Sequence, residues 1–247
     1  MIKLERKFTP IILSPEFVNE KTHEFKNDGI NVWNNEIIKE SLLILSNSKC
    51  VYCECGLKEE SKYMEVEHFE DKKHNPDKVL YWDNLLPSCK RCNGAKSTHD
   101  VIRKPIINPF KDNPVDHLYF RLYLLKGKTD IGKETVDVVN LNHTERAVWK
   151  RFEVGEALEK LIDEGSEKLE LYKSNKTTRR KNLLVNLIES ILKECQPSSI
   201  YSATCSSILC SNECFTNIIQ EMKDLDLWIK EFDELYNAAM KIKLEIR

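Results

Sequence analysis

Apolar positions mark out the helices first. Between Glu16 and Leu45, Phe17, Phe25, Val32, Trp33, Ile37, Ile38, Leu42 and Leu45 recur at roughly helical spacing, and Asn27-Asp28-Gly29 interrupts them with a turn signal. The pattern predicts two helices joined at that turn, preceded by an extended arm over residues 1 to 14. From Ser46 to about Lys104 the character changes to polar turn clusters, one strand-like run (Tyr63, Met64, Glu65, Val66) and a helical stretch opening near Cys89. Residues 105 to 118 contain three prolines and predict a fixed, non-helical crossing. Thr135 to Leu141 alternates as a short strand. Beyond it the helical period returns, first in a helix capped by Asn142 or Thr144 that carries Trp149, Phe152, Leu158, Leu161 and Ile162. A second holds Leu183, Leu184, Leu187, Ile188, Ile191 and Leu192. A last runs from about Phe215 to Ile246, with Ile218, Met222, Leu225, Ile229, Phe232, Tyr236 and Met240 on one stripe. Three segments result: an N-terminal arm with helices over 1–47, a compact chemistry-rich segment over 48–104, and a helical region over 105–247 suited to docking and packing.

Composition agrees with this outline. The 247 residues suffice for one to two domains, and only 7 Gly and 8 Pro favour helices over a turn-rich β sandwich. The expected class is α+β, mostly helical. With 38 basic and 40 acidic side chains the net charge of −2 gives no global attraction for nucleic acid, so any such site is a local patch. No stretch approaches the ~18 apolar residues of a membrane span. The charged start MIKLERKFTP never becomes the apolar core of a secretory signal, so a cytoplasmic setting is expected, in which nine cysteines stay reduced.

Clustered cysteines then read as metal ligands. Cys50-Val51-Tyr52-Cys53 and Cys89-Lys90-Arg91-Cys92 are two C-x2-C pairs, each able to present two thiolates from one turn and together able to enclose a structural Zn²⁺. Cys55 is a spectator. Cys195, Cys205, Cys210 and Cys214 match no familiar knuckle spacing and are expected as buried apolar residues. Between and after the pairs lie Glu67-His68, Asp83-Asn84-Leu85-Leu86 and Asn93-Gly94-Ala95-Lys96. Zinc would bring a carboxylate, an imidazole, two carboxamides and an ammonium into one neighbourhood, a set suited to metal-dependent phosphodiester hydrolysis. On a helix after Cys89, residues Cys89, Cys92, Asn93 and Lys96 share a face.

This string, C-x2-C, Glu-His, Asn-Leu and C-x2-C-Asn-x2-Lys, resembles the HNH endonucleases. The resemblance implies a zinc-knuckle ββα-metal finger, flanked here by N-terminal helices and a C-terminal helical region. Asn93 stands where many members have His, and Glu67 where Asp is commoner. Val66-Glu67-His68-Phe69, Tyr81 to Cys89 and Cys92 to Lys96 are similar to the HNH subunits of Septu anti-phage systems and related retron-associated effectors. Asn108-Pro109-Phe110, Asp112-Asn113-Pro114 and Val139 to Asn142 extend that likeness, which covers about residues 48 to 152. It implies a defence complex with a PtuA-like ATPase, in some systems with a retron reverse transcriptase and its DNA. After Phe69 the chain departs from the pattern, with Glu70-Asp71 in place of a basic residue and proline.

The expected roles follow. His68 is the general base, while His23, His74, His99, His117 and His143 are ordinary hydrogen-bonded histidines. Glu67 and Asn93 supply oxygen ligands to Mg²⁺ or another divalent cation. Strand alternation alone would send Glu67 and His68 to opposite faces, so the strand must end there, with a turn over Phe69 to Asp71. Asn84 bonds backbone across the loop and orients His68, as the middle residue of the motif does in the family. Gly94 lets the helix start approach a phosphate, and Lys96 donates to a nonbridging oxygen. Five basic residues, Lys90, Arg91, Lys96, Arg103 and Lys104, against Asp100 alone form the local patch, with Lys90, Arg91, Arg103 and Lys104 as the contacts to DNA or RNA. The run Lys173, Lys176, Arg179, Arg180 and Lys181 reads as a solvated helix face. A zinc-stabilised nucleic-acid-binding or assembly module without catalysis is the alternative, but it has no need of Glu67, His68, Asn84 and Lys96 at these offsets.

Overall fold

The computed structural model describes residues 1–57 and 64–247. The class is α+β and mostly helical. The chain folds into two compact units, Met1–Leu118 with Leu125–His143, and Tyr119–Leu124 with Thr144–Arg247. No helix among the described residues is long and apolar enough to cross a membrane.

In the first unit, α1 (Pro15–Asp28) begins where the Ser14 side chain accepts from the Phe17 amide and ends at Gly29, whose φ of 71° suits a residue without Cβ. Helix α2 (Glu36–Leu45) is capped by Asn35. Strand β1 (Met64–His68) pairs antiparallel with β2 (Leu85–Cys89), in the register Met64 to Cys89 and His68 to Leu85. Tyr63 of the predicted run lies outside the described residues. Helix α3 (Lys90–Lys96) follows β2 directly, completing a ββα finger. Met64 and Val66 face a core of Trp33, Ile38, Leu42, Val79, Leu80 and Leu85, so the N-terminal helices pack on one face of the hairpin. Ile38 and Leu42 are fully buried there, each contributing roughly 1.5–3 kcal/mol.

Downstream, the proline-rich crossing holds one short helix, α4 (Pro114–His117), started by Pro114 behind an Asn113 cap. Strands β3 (Leu118–Arg121) and β4 (Leu124–Gly127) follow. The strand expected over Thr135 to Leu141 is instead helix α5 (Asp130–Val138) and its end. Thr129 caps it by accepting from the Gly132 amide, and Gly132, Thr135, Val136 and Val139 are buried at helical spacing, which outweighs the β-branched alternation. A Cβ on Gly132 would lie 2.1 Å from the His117 carbonyl oxygen, so this helix packs where only glycine fits.

The second unit is a helical bundle. Neither Asn142 nor Thr144 caps its first long helix. Thr144–Val148 forms a π-helical turn leading into α6 (Trp149–Ser174), which has no side-chain cap. Asn142, in the first unit, bonds both backbone groups of Leu125 instead. Helix α7 (Thr178–Glu194) matches its predicted stripe, with Leu184, Ile188, Ile191 and Leu192 buried. The predicted last helix is two, α9 (Glu213–Asp224) and α10 (Lys230–Ile242), broken where Asp226 adopts a φ of 54° and the Leu227 amide turns back to Met222. Ile218, Met222 and Phe232 of the stripe are buried in one core that both helices cover, with Leu225 and Tyr236 packed against it, whereas Ile229, at the break, and Met240 are exposed. Helix α8 (Ser202–Leu209) escaped the pattern: it is built of small residues and buried on almost every side, so it has no polar face. Of the four cysteines expected to be buried apolar residues, Cys195 and Cys205 are buried in this core, whereas Cys210 and Cys214 are only partly buried against it. Strand β5 (Glu245–Ile246) pairs parallel with β3.

Candidate active site and metal centre

The cysteine pairs converge. The sulfurs of Cys50, Cys53, Cys89 and Cys92 lie within 4.8 Å of one another, all buried. Cys53 and Cys89 are 3.7 Å apart, close to the ~3.8 Å edge of a sulfur tetrahedron with ~2.3 Å zinc–sulfur bonds. Burial pushes the Cys50 and Cys92 thiols up, while hydrogen bonds within the cluster hold the Cys53 and Cys89 thiols down; four thiolates packed this closely repel one another and call for a cation among them. The donor set fits zinc. The Val51 amide bonds the Pro87 carbonyl, fastening the first knuckle to β2. Cys55 is not one of the four, yet its thiol packs against Cys50, Cys53 and Cys89 rather than standing apart as a spectator, and its carbonyl accepts from the Cys50 amide.

Where β1 ends, a cleft of about 200 Å³ is lined by Glu67, His68, Asp71, Lys72, Lys73 and Asn93, among others. Glu65 and Glu67 point toward α3, while Met64, Val66 and His68 point toward the N-terminal core. Alternation therefore holds through His68. The chain bends immediately afterwards, so the cleft at the strand terminus opens to both faces, and Glu67 and His68 both line it.

His68 is buried, its Nε2 donating to the Val79 carbonyl at 3.0 Å, with its ring edge-on to Trp33 at 4.8 Å. That bond fixes the tautomer and leaves Nδ1 with a free lone pair. Burial pulls its pKa down to about 4, so the imidazole is neutral at pH 7. Asn84 is also buried: its amide nitrogen donates to the Glu70 and Lys78 carbonyls, and its oxygen accepts from the Glu70 amide. It clamps the loop whose Val79 carbonyl holds His68.

Glu67 is 2% exposed, and burial raises its pKa to about 7 against the pull of Lys96. Its Oε1 lies 2.6 Å from the Lys96 ammonium without a directed hydrogen bond. Lys96 also donates to the His68 carbonyl at 2.9 Å. Asn93 donates its amide to Glu65 Oε2 at 2.7 Å, which leaves the amide oxygen as its remaining acceptor. A buried carboxylate oxygen, an amide oxygen and room for water suit a small, hard divalent cation that keeps part of its hydration shell.

Some expected contacts are placed differently. Lys96 is fully buried between Glu67 and the His68 carbonyl, so it is not presented to a phosphate. Arg91 donates to the Asn140 carbonyl and to Cys92 Sγ at 3.1 Å, so its guanidinium is directed at the cysteine cluster. Lys90, Arg103 and Lys104 are exposed, outside the cleft lining. Gly94 is exposed, with nothing near its Cβ position. Glu65, Lys72 and Lys73 were missed. The alternation that places Glu67 also places Glu65, two residues earlier, on the same face, whereas nothing local marks the lysines.

Glu70 and Asp71 are consumed within the loop. Glu70 pairs with Lys78, and Asp71 accepts from the Lys73 and His74 amides and from the His74 ring. The departure from the family pattern thus builds the turn that carries Lys72 and Lys73 to the cleft.

A zinc-type cluster, an antiparallel hairpin and a short helix around a buried Glu-His pair define a ββα-metal finger, and the HNH endonuclease family profile matches residues 50–99. The chain is 46% identical to the Septu protein PtuB of Bacillus thuringiensis, over 99% of this chain and 96% of that protein. It is 27% identical to the Septu protein PtuB of Bacillus mycoides (strain KBAB4), over 59% of this chain and 64% of that one. The chain belongs to the PtuB family of Septu proteins. No solved structure shows a significant match.

Proposed function

We propose that the protein is a metal-dependent HNH endonuclease that hydrolyses nucleic-acid phosphodiester bonds as the nuclease subunit of an anti-phage defence complex. The observation that carries this reading is the cleft shared by Glu67, His68 and Asn93 at the end of β1, in a finger that also carries the zinc-type cluster. His68 Nδ1 takes the proton of the attacking water, its other nitrogen being held by the Val79 carbonyl. The imidazole is neutral at pH 7, so Nδ1 carries the lone pair that this step requires. Glu67 and the Asn93 oxygen would hold Mg²⁺ or a similar cation, which when bound supplies charge neutralisation for the phosphate and the departing 3′ oxygen. Lys96 fixes Glu67 and the end of β1, Asn84 holds the loop behind His68, and Glu65 turns the Asn93 amide so that its oxygen is the free end.

Family membership supports a Septu partner, and the likeness described above names it as a PtuA-like ATPase. The test is cleavage by the chain co-expressed with its genomic neighbours. Divalent-cation-dependent cutting of DNA or RNA that His68→Ala abolishes, with zinc content and fold retained, supports the reading. Undiminished cutting by that variant refutes it.

A further inference from the structure

If Lys96 is buried, another cation must meet the substrate's phosphate, and the structure assigns this role to Lys72, held in place by Trp33; the inference rests on the nuclease reading above. Lys72 lines the cleft beside Glu67 and His68 and is exposed. Its ammonium lies 4.8 Å from the centroid of the Trp33 ring, within cation–π range. The same ring is edge-on to the His68 imidazole at 4.8 Å and to Phe25 at 5.4 Å, and is itself 9% exposed. One rigid indole, supplied by the segment between α1 and α2, therefore touches both the proposed base and a surface ammonium.

Three observations separate Lys72 from an ordinary solvated lysine. It is held in no direct ion pair: those of the described residues do not include it, it meets the Glu67 carboxylate only through space, where Lys96 already makes contact, and neighbouring Glu70 and Asp71 are saturated by Lys78, His74 and the loop amides. A cation already satisfied by an acid would have to lose that acid before binding a phosphate, and Lys72 does not. Its ammonium already rests over Trp33, so less side-chain freedom is lost when a phosphate binds beside it. It stands on the same cleft as His68 Nδ1, where a scissile phosphate must sit for an attacking water to be deprotonated. Lys73 lines the same cleft and adds to the local positive potential without an aromatic platform. Lys72 thus contacts substrate, and Trp33 is a positioning residue that sets the distance between that contact and the base.

The test compares the wild-type full chain, Lys72→Gln and Lys72→Arg, co-expressed with the genomic neighbours, on duplex DNA, single-stranded DNA and RNA of one sequence. Binding is measured in magnesium-free buffer with zinc retained, across a salt series, and cleavage is measured with magnesium. On the polymer that the wild type cuts, Lys72→Gln is expected to weaken binding about tenfold and to lower the salt-dependence slope by about one, the signature of a single lost phosphate contact. Its kcat/KM falls by about the same factor, and Lys72→Arg, which keeps charge and stacking, restores both. Wild-type affinity, salt slope and cleavage in Lys72→Gln would overturn the assignment while leaving the nuclease standing. A wild type that cuts none of the three polymers would overturn the nuclease reading, and this inference with it.

Discussion

Glu67→Gln isolates what it means to keep a carboxylate inside the finger. Burial lifts the Glu67 carboxyl from an ordinary 4.5 to about 7, even with Lys96 at 2.6 Å. An acid whose pKa is higher folded than unfolded binds more protons in the folded state between those values. Its contribution to stability is therefore fully present below pH 4.5 and is lost as pH rises through about 7. At about 1.4 kcal/mol per pKa unit, the loss amounts to about 3 kcal/mol by neutral pH in magnesium-free protein. Glutamine keeps the shape and has no such titration. Urea denaturation of both proteins from pH 4.5 to 8, zinc-loaded and without magnesium, should show the variant gaining about 3 kcal/mol on the wild type across that range. Taking the difference removes His68, whose depressed pKa acts with the opposite sign, its contribution being present above pH 6.5 and lost as pH falls through about 4. A pH-independent difference would refute the claim that Glu67 is held as a buried, destabilising acid. If the gain is found together with loss of cleavage, the site trades stability for function, as reactive centres often do.

Other perturbations address the supports. Cys92→Ser should release zinc, measured with a colorimetric chelator, and sharply lower the melting temperature, because a structural site contributes folding free energy directly; retained zinc with unchanged melting would contradict it. Asn84→Ala leaves the Glu70 amide and two carbonyls without their side-chain partner and should destabilise by about 2–4 kcal/mol. Hydrogen exchange in that variant should accelerate through the loop carrying Val79, and kcat should fall; a loop with wild-type protection would remove Asn84's assigned role. Arg91→Met should weaken zinc retention against a competing chelator while leaving nucleic-acid affinity nearly unchanged, since its guanidinium is directed at Cys92 and the Asn140 carbonyl.

The parts legible in the sequence are those joined by short, rigid connections. Cys50 and Cys53 share one turn, Cys89 to Lys96 ride one strand and one helical start, and Glu67 is next to His68. Spacing therefore determined their neighbourhood before any fold was known. The direction of a side chain within that neighbourhood was less legible. Lys96 carries the composition of a phosphate contact, yet the buried Glu67 carboxylate requires a partner and draws it inward. Arg91 is likewise taken by the thiolates. Trp33 and Lys72 meet across a long sequence separation, through packing of the N-terminal helices on the hairpin, and no local pattern encodes that meeting. Among the helices, α7 announced itself by a clean apolar stripe. Helix α8 did not, being small-residue and buried on nearly all sides, and α5 disguised its helical spacing behind β-branched alternation.

The proposed binding of one divalent cation by Glu67 and Asn93, beside His68, is most directly tested by crystals of the zinc-loaded protein soaked in manganese, located by anomalous scattering. One peak is expected among the four sulfurs of Cys50, Cys53, Cys89 and Cys92, and a manganese peak within bonding distance of a Glu67 oxygen and the Asn93 amide oxygen, beside His68. Manganese bound only elsewhere, with that cleft empty, would contradict the proposed centre.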